Sequence, residues 1–159
     1  MPDCAPFQLY VYDVAPGEEA AVLEVIAGVE DMEAEDPVAA LGGSLLVRGM
    51  RYATDDAPFS TAQEVAADLT ERAPTAVFEL WLDPQHEYGG YYVAQVPDVG
   101  TYEGACDSLG APYVSLLLLL DSAAAAPDGT TVRDWIQAEH AQAAFVLTAL
   151  RPYQAGRPY

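Results

Sequence analysis

Apolar and polar positions recur along this chain with periods that divide it into short elements. Phe7 to Asp13, FQLYVYD, alternates as a strand does and is closed by Pro16-Gly17. Val22, Val25, Ile26, Val29 and Met32 then fall at i, i+3, i+4, i+7 and i+10, which predicts an amphipathic helix ending before Pro37. Beyond the loop at Gly42-Gly43, residues 44–53 read as a strand. A helix opens at Ser60 with a Ser-x-x-Gln capping box to Gln63, and Ala62, Val65, Ala66 and Leu69 form its stripe.

Residues 76–83 and 91–96 read as strands joined by the turn-rich PQHEYGG. Tyr102, Ala105, Cys106 and Leu109 have helical spacing after Thr101, with Gly110 as the stop. Residues 113–121 contain five consecutive leucines and read as a strand buried on both faces. A final helix is expected over 130–150, capped by Thr131 and Asp134, with Ala123 to Pro127 as a linker before it.

Strand–helix–strand–strand–helix–strand is the split βαββαβ order of ferredoxin-like domains. The expectation is therefore an α+β fold with a ferredoxin-like core over about 44–121, an added N-terminal strand and helix, and a C-terminal helix. At 159 residues the chain fits a single domain, 1–159. It divides into a tail (1–6), a strand with an acidic helix (7–43), the core (44–121), the last helix (130–150) and a second tail (151–159).

Charge changes the picture most. The chain carries 25 acids, six arginines and no lysine, a net charge of −19. With 52% apolar residues it is nonetheless a folding composition rather than a disordered acidic one. Nucleic acid binding draws on Lys and Arg that displace counterions from phosphates, so direct binding to DNA, RNA or an anionic membrane is not expected. A protein with a basic surface is the partner the charge allows. The first ten residues lack the basic and apolar regions of a secretory signal, and the longest apolar run is far short of the ~20 residues that cross a bilayer. A soluble, cytoplasmic protein is the expectation.

Eight of the acids fall between Gly17 and Asp36 with no basic residue among them: Glu18, Glu19, Glu24, Glu30, Asp31, Glu33, Glu35 and Asp36. Twenty helical residues span ~30 Å, a length over which one DNA strand presents ~9 phosphates. On one rigid helix these carboxylates approach that density, and Asp55, Asp56 and Asp68 are candidates to extend the surface. The function this points to is an acidic protein-interaction module of the DNA-mimic kind. Such a module occupies the basic groove of a DNA-binding or restriction-type defence protein. The competing explanation for the charge alone is a salty cytoplasm or GC-rich coding.

The alternative reading is a small-molecule-binding protein or small enzyme on a ferredoxin-like sheet. Glu139 falls within the apolar stripe of the last helix with His140 at its edge, where a carboxylate must be neutralised or find a partner. Arg48 and Arg51 are the expected ion-pair partners, and acid–base catalysis the competing role. No catalytic motif occurs, so the balance leans away from an enzyme. Asp83, His86 and Glu87 on the hairpin read as a solvated turn, and no metal or cofactor is expected. Cys4 and Cys106 form no disulfide framework. The ten tyrosines read as core packing or protein contact surface, and the sheet edges and the tyrosine-rich hairpin are compatible with a homodimer.

Overall fold

The computed structural model describes residues 4–155. Its elements are β1 (Cys4–Asp13), α1 (Glu19–Ala27), β2 (Glu33–Ala34), β3 (Arg51–Pro58), α2 (Thr61–Arg72), β4 (Val77–Leu82), β5 (Gly90–Val96), β6 (Gly100–Cys106), α3 (Leu116–Ala125), α4 (Val132–Glu139) and α5 (Ala141–Gln154). The six strands form one antiparallel sheet in the order β2-β3-β1-β4-β5-β6. The fold is α+β, as expected. The ferredoxin-like order over 44–121 is not the one formed. A split βαβ unit exists only as β3–α2–β4, whose strands run the same way on either side of β1.

Side-chain alternation sorts the sheet into two faces. Phe7, Leu9 and Val11 of β1 and Phe78, Leu80 and Leu82 of β4 pack with Val22, Val25 and Ile26 of α1 and Val65, Ala66 and Leu69 of α2. On the other face Tyr10, Tyr12, Trp81, Tyr92 and Cys106 pack with Val146 and Leu150 of α5. Tyr10 stacks on Trp81 and on Tyr12, with ring centroids 5.7 and 6.0 Å apart. Helix α5 covers this second face mainly at β5 and β6, and its end reaches Glu79 of β4 and Tyr12 of β1. At β2 and β3 the same face is open.

Several elements depart from the pattern read along the chain. Helix α1 stops at Ala27, although Val29 and Met32 continue the apolar stripe and pack partly buried against the core. Gly28 is a poor helix former, and Glu30, Asp31 and Glu33 would crowd negative charge onto the negative end of the helix dipole. The chain turns at Asp31, with φ +52°, into β2. The strand expected at 44–53 begins only at Arg51. Ser60 flanks α2 without a side-chain capping bond, so the Ser60–Gln63 box does not form.

Of residues 101–109, expected as a helix, those up to Cys106 form β6, and residues 113–121, expected as a buried strand, give way to α3. In the first case Tyr102, Gly104 and Cys106 also alternate, and a turn at Pro97-Asp98-Val99-Gly100 folds the strand back onto β5. In the second, leucine favours a helix over the β-branched preference of strands, and the Ser115 hydroxyl caps it by accepting from Leu118 N–H at 3.2 Å. The expected linker at 123–127 is in part the end of α3. The Thr131–Asp134 capping box forms, but the last helix breaks at His140 into α4 and α5. Of the two expected tails, part lies within β1 and α5, and 1–3 and 156–159 fall outside the described residues.

Candidate functional site

The eight carboxylates of the acidic stretch do not share one rod. Glu19 and Glu24 lie on α1, with Glu18 at its start; Glu30 and Asp31 are in the following turn, Glu33 is on β2, and Glu35 and Asp36 follow it. Four of the eight are already engaged. Arg48 reaches Glu19 at 3.0 Å and Asp13 at 2.9 Å, and Arg72 pairs with Glu24. Glu18 accepts from the Thr75 N–H at 3.0 Å and hydroxyl at 2.7 Å. Asp36 accepts from the N–H groups of Val38 and Ala39, both at 3.0 Å, which fixes the turn after β2.

The sheet brings the others to a different surface. Glu33 on β2 and Glu35 just beyond it are exposed while Ala34 is half-buried against the core, so the two acidic residues follow each other about 6.8 Å apart along the extended backbone. The ladder continues past β2, because Glu35 N–H donates to Arg51 C=O at 2.8 Å. Opposite lies β3, where the register against β1 slips between Ala5 and Phe7. Two residues, Asp55 and Asp56, there face the single Pro6, the count of a β-bulge. Pro6 has no N–H to give the ladder. Strict alternation would bury every second side chain, and the bulge instead leaves both aspartates exposed.

Asp31, Glu33, Glu35, Asp55 and Asp56 line one open hollow of about 530 Å³, together with Arg51. Arg51 Nε donates to Gln8 Oε1 at 2.8 Å, which holds the arginine against β1. Among the described residues none of those five carboxylates has a side-chain hydrogen bond or ion pair. Asp68 lies on α2, beside a separate hollow bordered by Glu24, Glu30 and Arg72.

Glu139 and His140 are not a buried acid–base pair. The Glu139 carboxylate is exposed and accepts from Ser122 Oγ at 3.0 Å and Trp135 Nε1 at 3.1 Å, which ties α3 to α4. His140, at the helix break, stacks edge-on against Trp135 with centroids 4.4 Å apart. Its Nε2 is buried without a hydrogen-bond partner among the described residues. Arg48 and Arg51, the expected partners of Glu139, are engaged elsewhere. Asp83 is partly buried, which raises its carboxyl pKa despite the 3.4 Å bond from Gln8 Nε2. No group of three or more metal-ligating side chains occurs among the described residues.

Among the described residues the fully buried carboxylate is Glu79, at the centre of β4 and 0% exposed. Oε1 accepts from the Tyr12 hydroxyl, and Oε2 from the Tyr92 hydroxyl at 2.7 Å and Gln154 Nε2 at 2.9 Å. These donors come from β1, β5 and the end of α5, so Glu79 joins the sheet to its covering helix. A single acid inside VFELWL was the available sequence signal. Nearby, burial pushes the Cys106 thiol up to about 12, aided by Asp107 and Asp83.

The chain matches no protein-family model, and its comparison with curated proteins and with solved structures likewise yields no match.

Proposed function

We propose that this chain is an acidic protein-interaction module that docks on a basic protein surface through the β2–β3 edge. The finer form of the reading is a DNA mimic that occupies the groove of a DNA-binding or defence protein. The observation that carries it is the convergence of Asp31, Glu33, Glu35, Asp55 and Asp56 on one open hollow, where five carboxylates face the single Arg51, itself bonded to Gln8. Carboxylates without partners inside the protein keep their full attraction for an external cation. Sharing one hollow, they present their charge together to an approaching cation, and salt screens that attraction over a Debye length of ~8–10 Å. The mechanism is electrostatically steered association and competition with phosphate.

The surface differs from the helical rod that the sequence suggests. Glu18, Glu19, Glu24 and Asp36 are held by neighbours and Glu30 borders a separate hollow, so the docking set is Asp31, Glu33 and Glu35 with Asp55 and Asp56. The short acidic strand also prevents edge-to-edge pairing with another sheet, so recognition runs through side-chain charge rather than added strands. Capture from a host lysate at ~50 mM salt tests the reading, because contacts of this kind weaken steeply toward ~200 mM. The expected result is enrichment of a DNA-binding protein that duplex DNA displaces. Enrichment of none refutes the mimic.

A further inference from the structure

We infer that a second copy of this chain docks on the apolar face formed by α3, α4 and α5. The face is independent of the acidic edge, so either proposal stands if the other fails. No residue of α3 or α4 is buried. The leucines Leu116 to Leu120 are 39–76% exposed, Val132 is 72% exposed and Phe145 64%. Val132, Ile136, Phe145, Ala149 and Val99 line an open groove of about 1270 Å³. Val132 also lines the hollow that holds Leu119 and Trp135, which links α3 to this groove through Leu119. A patch of this kind on a soluble chain marks an interaction site.

Area and charge identify the occupant. The chain exposes 9262 Å², whereas a folded monomer of its 17.0 kDa exposes about 7,700 Å². The surplus, about 1,500 Å² summed over the whole chain, is larger than the ~800 Å² that each partner buries in a stable interface. The charge is equally uneven. Residues 108–159 hold only Asp121, Asp128, Asp134 and Glu139 of the 25 acids, against Arg133, Arg151 and Arg157. They contribute −1 to the net −19, and the first 107 residues contribute −18. A basic partner is drawn to the sheet. Two copies meeting through the helices approach by their nearly neutral sides, and a two-fold contact matches each apolar surface with its own complement while both acidic edges face outward. No helix of the described residues is long and apolar enough to cross a membrane.

The test is light scattering across a micromolar dilution series of the full chain, beside V132E/F145E and the uncharged pair V132S/F145S. Both sites are exposed, so both variants should keep the far-ultraviolet circular dichroism of the parent. The expected result is a dimer whose dissociation constant rises on the order of 100-fold in each variant. A monomer throughout the series overturns the proposal. So does a dimer that both folded variants leave intact, or a monomer that instead binds phosphatidylcholine vesicles.

Discussion

The Tyr92 hydroxyl donates to Glu79 Oε2 at 2.7 Å, with both residues fully buried between the sheet and α5. Tyr12 and Gln154 also donate to it, so removing the carboxylate takes the acceptor from two buried hydroxyls and one half-buried amide. Glu79→Ala is expected to cost about 3–5 kcal/mol, because each buried donor left unsatisfied costs about 1–3 kcal/mol. Tyr92→Phe should cost about 1–3 kcal/mol, since it deletes one buried hydrogen bond. Urea unfolding followed by tryptophan fluorescence measures both. An alanine variant with an unchanged midpoint contradicts this account of Glu79.

Gly110 sits at φ +71°, and a Cβ there would lie 2.5 Å from the Trp81 ring. Gly110→Ala combines a strained backbone with a clash against a core aromatic, so it should destabilise by at least ~1 kcal/mol. Trp81 emission should also change. Gly129→Ala is a useful contrast, because it shares the positive φ of +86° but meets nothing within 4 Å. The larger loss at Gly110 isolates the contact with Trp81.

The start of α4 should respond to acid. Asp134 accepts from the Thr131 hydroxyl at 2.7 Å and N–H at 3.0 Å, and these bonds hold its carboxyl below the usual aspartate range. A lowered folded pKa means that the cap's contribution is complete above the unfolded value of ~3.9. It is lost as pH falls through the lower folded value. Helicity of the parent should therefore fall more than that of Asp134→Asn as pH is lowered through this window. Equal acid responses in the two proteins would remove Asp134 from the account.

The two thiols should differ. Cys106 is 0% exposed, donates to Leu82 C=O and has its pKa pushed up to about 12, while Cys4 is half-buried. Thiolate is the reactive form. Alkylation at pH 8 should modify Cys4 first and reach Cys106 only after denaturant is added. Rapid double labelling of the native chain would show that the second core opens readily.

Elements were legible in the sequence where the apolar period and the end signals agree. Strand β1 alternates up to a Pro-Gly stop, α2 keeps a clean stripe, and α4 opens with the Thr131–Asp134 box that forms as read. Short windows misled where both periods fit, as at Tyr102 to Cys106. The leucine run misled because hydrophobicity was equated with burial, although Leu116 to Leu120 remain exposed. A single helix phase carried through His140 places Glu139 in the apolar stripe, but φ is −129° at His140 and the phase resets there, leaving Glu139 exposed. The acidic site was visible in composition but not in shape. Asp55 and Asp56 join Glu33 only through a register slip opposite Pro6, which is a property of the paired strands.

The most direct measurement is the affinity of the captured basic partner for two folded triple variants with the same net charge. One is E33K/D55K/D56K at the sheet edge, and the other is E64K/D68K/E71K on the exposed side of α2. If the edge is the docking surface, the first variant loses on the order of 100-fold or more at ~50 mM salt and the second stays within about threefold. Equal losses in both would mean that overall charge, not the arrangement around β2 and β3, attracts the partner, and would contradict the proposal.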